Sequence, residues 1–235
     1  MLKSNQVTRR FGNFTAVDHV TMTLEPGHVY AMLGPNGSGK TTWMKMASGL
    51  MKPTEGEITF RGEVIGVNSR RHITYMSTEP FFYSWMTIRD VGKYYADFFD
   101  DFSPAVFDGL LTEMELSPEM KTRSLSSGMA AKLKIAATLA RDADIYILDE
   151  PFNGIDLLAR DEIRRAILRR AEPEKMLILS SHLVEEMEAV ADIAIFMHKG
   201  KLIELRDLEE MRQRDGISMA DRYRQIYGHV EVDAQ

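Results

Sequence analysis

One decapeptide constrains this chain more than any other stretch of its sequence: Leu33-Gly34-Pro35-Asn36-Gly37-Ser38-Gly39-Lys40-Thr41-Thr42. It fits the pattern G-x-x-x-x-G-K-[ST], in which glycines let the backbone turn tightly and bring N–H groups onto phosphate oxygens. Lys40 can reach the β- and γ-phosphates of a nucleotide, and the Thr41 hydroxyl can ligate Mg²⁺. The alternative is a glycine-rich turn between a strand and a helix that binds nothing.

The flanks of this loop supply the context that a phosphate site needs. The residues from His28 to Leu33 predict a buried strand, and those from Thr42 to Gly49 predict a helix closed by glycine. A strand, a loop and a helix N-terminus in this order direct backbone N–H groups at one point. The sequence therefore predicts a bound nucleotide phosphate and leaves open which class of nucleotide-dependent machine binds it.

Length and composition limit the remaining choices. With 235 residues and 44% hydrophobic content, the chain can form one large domain or a core with one insertion. The lack of cysteine excludes disulfides and thiolate metal sites, and it suits a reducing cytosol. We find no signal-peptide pattern and no apolar run long enough for a transmembrane helix. The net charge of −6 disfavours a general nucleic-acid binder, so no nucleic acid is expected as a partner.

The order of predicted elements divides the chain into an α/β part and a helical insertion. Residues 75–107 contain 11 of the 21 aromatic residues, which marks a separate module. Helix starts are predicted at Thr87, at Ser103-Pro104 and at Ser117-Pro118. Buried strands ending in polar residues follow, as in Ile145 to Leu148 before Asp149-Glu150, and they place the chemistry along one sheet edge.

Two groups of polar residues at strand ends are candidates for this chemistry. Asp149 can hold Mg²⁺, and the adjacent Glu150 can orient and deprotonate an attacking water. His182, in Ser180-Ser181-His182, can hydrogen-bond a γ-phosphate and sense its loss. Taken singly, each also fits a plain surface or loop position.

Three further features are weaker when taken singly. Ser126 opens an amphipathic helix whose N–H groups and hydroxyl can bind an anion, although plain N-capping is the alternative. Asp156 fits an ordinary helix N-cap. Phe11, before Gly12, can stack on a purine or belong to the core.

In their order along the chain, these motifs resemble the nucleotide-binding subunit of ABC transporters over about residues 2–205. The resemblance is closest to cassettes that pair with small export permeases of the antibiotic- or peptide-resistance kind (ABC-2 type). The matching segments are Gly34 to Thr41 for Walker A, Ile145 to Glu150 for Walker B, Leu125 to Met129 for the signature LSGGQ, Gly154 to Asp156 for the D-loop, His182 for the switch histidine and Phe11 for the adenine-stacking aromatic.

The resemblance implies a fold and a division of the chain. The fold is α/β, a P-loop NTPase (RecA-like) core with an antiparallel β subdomain and an inserted α-helical subdomain. We expect the ATP-binding core and β subdomain in 1–78 and 142–205, the helical signature subdomain in 79–141, and a helical tail in 206–235.

It also implies the site residues. Lys40, Glu150 and His182 would be catalytic, and Thr41, Asp149 and Thr78 would face Mg²⁺. ATP would contact a set of loop, signature and D-loop residues: Phe11, Gly34, Asn36, Gly37, Ser38, Gly39, Lys40, Thr41, Thr42, Ser126, Gly128 and Asp156.

Two positions depart from the family pattern. The Q-loop glutamine is replaced by Thr78, followed by Glu79, so the usual side-chain contact to the metal needs a substitute such as Glu79 or a water. The signature reads Leu125-Ser126-Ser127-Gly128-Met129, which keeps the anion-facing serine and glycine. We therefore expect a working signature, with altered affinity as a possible consequence of Ser127.

By resemblance, two such subunits close on two ATP molecules, each held between the Walker A loop of one subunit and the signature helix of the other. A separate membrane permease would dock near Thr78 to Met86 and hold the chain, peripherally, at the cytoplasmic face of the membrane. The alternatives are a soluble non-transport ABC ATPase and a regulatory ATP sensor that hydrolyses poorly. The sequence leaves open the substrate, the direction of transport, homodimer against heterodimer, and the role of the tail.

Overall fold

A computed structural model describes residues 1–79 and 81–228 and contains two β-sheets with helices packed around them. The smaller sheet is antiparallel, and its four strands run in the order β2-β1-β4-β5. The strands are β1 (Leu2–Phe11), β2 (Phe14–Leu24), β4 (Glu55–Phe60) and β5 (Glu63–Val64).

The larger sheet has six strands in the order β10-β9-β3-β8-β7-β6 and is parallel except at β10. Its strands are β3 (His28–Leu33), β6 (Ile73–Met76), β7 (Ile145–Asp149), β8 (Met176–Ser180), β9 (Ile193–His198) and β10 (Lys201–Asp207). The helices are α1 (Lys40–Ala47), α2 (Ile88–Phe98), α3 (Pro104–Glu113), α4 (Ser127–Leu139), α5 (Leu157–Leu168), α6 (Val184–Glu188), α7 (Leu208–Glu210) and α8 (Met219–Tyr227). No helix in the described ranges is long and apolar enough to cross a membrane.

This architecture confirms the predicted fold class: a mixed sheet behind a phosphate loop, an antiparallel β unit and helices inserted between β6 and β7. The inserted helices begin where the sequence signals lie. Thr87 and Asp90 form a capping box at α2, and Ser103 caps α3 with Pro104 in its first turn. The prediction of a helix at Ser117-Pro118 is wrong, because this segment is a turn whose Pro118 carbonyl accepts a hydrogen bond from Arg89 N–H.

Two hydrophobic cores lie on the two faces of the larger sheet. One core joins α1 and the antiparallel strands to the sheet through the buried side chains of Trp43, Met44 and Met32. The other core joins the inserted helices to the opposite face through Leu133, Leu148 and Leu179. The parallel strands are buried on both faces, which explains their continuous apolar runs.

In the segment expected to be a helical tail, residues 206 and 207 belong to β10, and α7, a five-residue π-helical turn (Met211–Asp215) and α8 follow. Residues 229–235 lie outside the described part of the chain. The buried residues of the tail, Leu208, Met211, Met219 and Tyr227, join the core of the inserted helices. The Tyr227 hydroxyl donates to the carbonyl of Met197 at 2.8 Å and lies 3.4 Å from the carbonyl of Leu33. The end of α8 thus lies behind the strand that leads into the phosphate loop.

A buried guanidinium ties the inserted helices to the sheet. Arg141 lies just after α4 with its side chain almost fully buried. Its Nε and Nη2 each donate to the Asp101 carboxylate at 3.0 Å, and Nη2 also donates to the Arg71 carbonyl at 3.2 Å. Its Cζ lies 4.1 Å from the ring centre of Phe99, so the cation is paired and stacked.

We expect Asp101→Ala to lower the free energy of unfolding by about 2–3 kcal/mol, because it leaves a buried charge without its carboxylate. Urea denaturation followed by circular dichroism measures the change. Asp100→Ala, at the exposed neighbouring position, is the matched control and should stay within about 0.5 kcal/mol of the parent. Equal losses in the two variants would contradict the role given to Asp101.

Candidate functional site

The phosphate loop joins β3 to α1 and has a backbone that two of its glycines make possible. Gly34 has φ +150°, and a Cβ on it would lie 2.2 Å from the Met197 carbonyl oxygen. Gly39 has φ +102° and would place a Cβ 2.5 Å from the Ala16 carbonyl oxygen. A side chain at either position would therefore clash with neighbouring backbone. The glycines of the motif let β3, β9 and the small sheet close around the loop.

Lys40 is the first residue of α1, and its side chain folds back over the loop. Its ammonium donates to the carbonyl of Gly34 at 2.7 Å and to that of Pro35 at 3.3 Å. Burial lowers the pKa of this ammonium, and the nearby carboxylates of Glu150 and Asp149 oppose that shift. A phosphate at the loop would give Lys40 a stronger partner than two carbonyls.

The loop borders a cleft of about 300 Å³. Most of the residues predicted to bind ATP line it, together with one aromatic residue that the prediction omitted: Phe14, Ala16, Asn36, Gly37, Ser38, Gly39, Lys40, Thr41, Thr42, Thr78 and Glu150. Ser38 Oγ is buried and has no hydrogen-bond partner within the described residues. A buried hydroxyl without a partner in a polar loop is a donor that a phosphate oxygen can satisfy.

An acidic edge faces the loop from the ends of β7 and β8. Asp149 is buried and accepts hydrogen bonds from Ser180 Oγ at 2.5 Å and from the Tyr75 hydroxyl at 3.1 Å. Burial raises the pKa of the Tyr75 phenol, and Asp149 raises it further, so Tyr75 remains a donor. The carboxylate is therefore held in one orientation by two neutral donors.

Glu150 adopts a left-handed backbone conformation, with φ +52°. Its N–H donates to Ser180 Oγ at 3.0 Å, so one serine hydroxyl holds both acidic residues. Its carboxylate lies 2.9 Å from Nδ1 of His182, which follows β8. A strained backbone held by specific contacts is a recurring feature of functional sites.

Thr78 stands between the cleft and a second, larger groove of about 520 Å³. It follows β6 and is exposed. The carbonyls of Ser77 and Thr78 accept hydrogen bonds from the Lys134 ammonium of α4, at 2.7 and 3.0 Å. Thr78 thus borders the cleft, and its backbone carbonyl is bonded to the inserted helices.

The signature residues lie away from the cleft of their own chain. Ser126 caps α4 and accepts from Met129 N–H at 3.2 Å, and neither Ser126 nor Gly128 is among the residues that line the cleft. Ser127 Oγ lies 3.4 Å from the Gly154 carbonyl, so the start of α4 adjoins the D-loop. Asp156 caps α5, where its carboxylate accepts from Ala159 N–H at 3.0 Å.

The two aromatic residues at the tip of the β1–β2 hairpin differ in their positions. Phe11 lies under the guanidinium of Arg9, whose Cζ is 4.7 Å from the ring centre. Phe14 pairs with Phe11 across the hairpin, borders the cleft and is 61% exposed. Phe14 is therefore the aromatic residue that lines the cleft.

Four contributors to the site escaped the sequence prediction: Ser180, Tyr75, Phe14 and Lys134. Ser180 and Tyr75 end or nearly end parallel strands, and this signal could have identified them. Lys134 carries no such signal, because its partners are carbonyls 56 and 57 residues away in sequence. The described residues contain no cluster of three or more His, Asp or Glu side chains placed to hold a metal ion.

Comparisons with known proteins agree with this geometry. The family model described as "ABC transporter" matches residues 17–153. The "Bacitracin transport ATP-binding protein BcrA" of Bacillus licheniformis is 33% identical over 221 residues, which cover 92% of this chain and 72% of the relative. The "Lantibiotic transport ATP-binding protein SrtF" of Streptococcus pyogenes is 33% identical over 205 residues, covering 86% of this chain and 89% of the relative.

A solved structure described as an ATP-binding subunit of an ABC transporter superposes with a TM-score of 0.85 at 25% identity, covering 96% of this chain and 98% of that one. Further matches of the same fold include dimeric cassettes. The matched range of the family model includes the phosphate loop, Thr78 and Glu150. The chain therefore belongs to the ABC transporter family, as one of its ATP-binding, ATP-hydrolysing subunits.

Proposed function

We propose that this subunit powers export of a peptide antibiotic through a separate membrane permease, at whose cytoplasmic face it is held. One observation carries the proposal. Lys40, Glu150 and Thr78 line one cleft, while the signature serine of the same chain lies outside it. This cleft has one of the two walls that an ATP site of this kind requires. A second subunit would supply the other wall. The names of the two relatives, which transport bacitracin and a lantibiotic, support the substrate class.

In the proposed site, the phosphate loop binds the polyphosphate of ATP. Backbone N–H groups at the start of α1 would donate to the phosphate oxygens, and the Lys40 ammonium would leave the carbonyls of Gly34 and Pro35 for them. Ser38 Oγ would gain a partner in the same step. Phe14, with Phe11 behind it, would provide the apolar wall for the adenine ring.

The donor set for Mg²⁺ is the Thr41 hydroxyl, the Asp149 carboxylate and a group at Thr78. These are oxygen ligands of the kind that Mg²⁺ prefers, and Asp149 is already oriented by Ser180 and Tyr75. The chemistry that the ion supplies when bound is neutralisation of charge on the β- and γ-phosphates. The protein itself would contribute by holding the ligand oxygens, above all those of Asp149, in fixed positions.

Glu150 is the proposed base for the attacking water. It follows the Asp149 carboxylate directly, and its left-handed backbone turns its side chain to His182. His182 would orient the carboxylate and then hydrogen-bond the γ-phosphate once ATP is present. Phosphoryl transfer needs mainly positioning and charge neutralisation, and these residues supply both.

The second ATP-binding subunit would present its α4 N-terminus to this cleft. The positive end of that helix, with Ser126 and Gly128, would meet the γ-phosphate across the interface, and Asp156 would lie at the same interface. ATP would then favour the closed dimer, and hydrolysis would remove that preference.

The permease would dock on the aromatic segment from Thr78 to Met86, of which Pro80 lies outside the described residues. Tyr83 and Trp85 are exposed and stack with ring centres 5.8 Å apart and planes 13° apart. Met86, by contrast, is buried in the module's own core. A stacked, exposed aromatic pair beside an apolar groove suits a short amphipathic helix of the permease.

Glu150→Gln is expected to keep ATP binding and to lower kcat for ATP hydrolysis by at least about a hundredfold, because the neutral amide cannot take a proton from water. Steady-state phosphate release and binding of a fluorescent ATP analogue measure the two effects. Glu185→Gln, at an exposed position on α6, is the control. Undiminished hydrolysis by Glu150→Gln would overturn the base assignment.

Ser180→Ala is expected to lower kcat by about tenfold or more, because Asp149 loses its shortest donor and the Glu150 N–H loses its acceptor. Ser181→Ala is the matched control, since this serine is equally buried but accepts only from Leu183 N–H among the contacts described. Both variants should lose about 1–2 kcal/mol of stability. A kcat that falls equally in both would refute the specific role of Ser180.

Trp85→Ala is expected to leave the basal ATPase rate unchanged and to abolish its stimulation by the permease, because Trp85 lies in the docking segment outside the cleft. The rate is measured with the purified subunit alone and then with the permease in proteoliposomes. Ile203→Ala, at another exposed apolar position on β10, should keep full stimulation. Stimulation that persists in Trp85→Ala would place the docking surface elsewhere.

A further inference from the structure

The segment after β6 is bonded to the inserted helices through one side chain. Lys134 Nζ lies 2.7 Å from the Ser77 carbonyl oxygen and 3.0 Å from the Thr78 carbonyl oxygen. Both bonds are charge-assisted, and they attach two consecutive peptide groups to α4. A hydrogen bond from Glu79 N–H to Ser77 Oγ, at 3.1 Å, stays within the segment.

Lys134 is carried by a helix that is held firmly in place. Its neighbours Leu133, Ile135, Ala136 and Ala137 are fully buried in the core that joins the inserted helices to the sheet. The helix is capped at Ser126, about 12 Å along its axis from Lys134 at 1.5 Å per residue. Because α4 is one continuous helix, a displacement of its signature end would also displace the Lys134 ammonium.

The ammonium also faces groups on both sides of the segment. Its Nζ lies 5.8 Å from the ring centre of Phe81, in the aromatic segment of the docking surface. Burial lowers the pKa of Lys134, and the negative charge of Asp149 opposes that shift. The Lys134 ammonium thus interacts electrostatically with Asp149 at the acidic edge of the cleft and with the Phe81 ring in the aromatic segment.

The sequence gives a reason for this contact. A threonine at position 78 is too short to reach as far as a glutamine, so its side chain alone links the cleft poorly to the inserted helices. Thr78 nevertheless borders both the cleft and the groove in which Lys134 lies. The link between them therefore runs through the backbone of residues 77 and 78.

We propose that Lys134 is a positioning residue that fixes the Thr78 segment to α4 and so transmits movement of the signature helix to the metal side of the ATP cleft. The inference rests on the proposed roles of Thr78 and Glu150 in hydrolysis. It goes beyond them by assigning the coupling to a lysine that touches neither ATP nor the metal.

The test compares Lys134→Met with Lys132→Met in the full-length chain. Methionine keeps an unbranched apolar side chain and removes the ammonium. Lys132 is a matched control on the same helix, since its Nζ also makes two contacts, to the Met114 carbonyl at 3.2 Å and to Glu162 at 2.7 Å, far from Thr78 in sequence. Lys134→Arg serves as the conservative variant that keeps the charge and can donate to two carbonyls.

Three quantities are measured for each variant: amide hydrogen exchange of residues 76–79 without nucleotide, the Kd of a fluorescent ATP analogue, and kcat at saturating Mg-ATP. For Lys134→Met we expect at least severalfold faster exchange in this segment, a Kd within about twofold of the parent and a kcat lower by about ten- to a hundredfold, because misplacement of a positioned group costs rate rather than affinity. Lys134→Arg should recover most of the rate, and Lys132→Met should change none of the three.

Unchanged exchange in Lys134→Met would show that Lys134 does not tether the Thr78 segment to α4. Faster exchange with an unchanged kcat would show that this tether does not position the groups needed for hydrolysis. Equal losses in both methionine variants, accompanied by equal falls in Tm, would reduce Lys134 to a general structural contact and also overturn the proposal. If the parent chain fails to hydrolyse ATP, the proposed function fails instead, while the exchange measurement still decides the tether.

Discussion

The structure depends above all on the parallel register of β7, β8 and β3. In this register Asp149 pairs with Ser180, and Ser180 pairs with Met32, two residues before the phosphate loop. A slip of one residue would turn Asp149 to the other face of the sheet and separate it from the Ser180 hydroxyl. The hydrogen bond between these two side chains is therefore both a product of the register and the means by which the acidic edge keeps its orientation.

The two cores reinforce this register from opposite faces. The β unit and α1 pack on one face and fix the loop backbone, while the inserted helices and the tail pack on the other. One face of the sheet thus supports the phosphate loop, and the other face supports the inserted helices with the signature segment. Arg141 and Lys134, at the end and in the middle of the same helical region, bond this second layer to backbone carbonyls before and after β6.

Local signals were enough to predict an α/β core with a helical insertion, because strand, loop and helix at residues 28–49 and the cap at Thr87 are encoded by neighbouring residues. The RecA-like core and the antiparallel β subdomain were implied by the family resemblance. The sequence placed Glu150 and His182 after the ends of two buried strands, and in the structure their side chains lie in contact. The prediction of a helix at Ser117-Pro118 was wrong because serine and proline also suit a turn. Here the Pro118 carbonyl accepts a hydrogen bond from the distant Arg89 N–H. Local sequence cannot distinguish the two outcomes.

The remaining parts of the site depend on contacts between distant residues. Ser180 bonds Asp149 across 31 positions and Lys134 bonds Ser77 across 57, and no periodicity predicts such pairs. Phe14 and Phe11 both suit an aromatic wall by composition, and only the bend of the hairpin distinguishes them. The roles given to all the site residues, Lys40, Glu150 and His182 as much as Phe11, Thr78, Ser126, Gly128 and Asp156, stay predictions, because they concern a nucleotide, an ion and a second subunit.

The contact of Tyr227 behind the phosphate loop has a consequence for how the chain is made. Leu33 and Tyr227 are 194 residues apart, and β3 lies between β8 and β9, which are also translated late. At about 5–20 residues per second, a ribosome needs roughly 10–40 s to reach Tyr227 after Leu33. Until β8 and β9 have been made, β3, which is buried over five of its six residues, lacks both of its neighbours in the sheet. The apolar strand that leads into the phosphate loop is therefore among the segments that stay unpaired while most of the chain is synthesised.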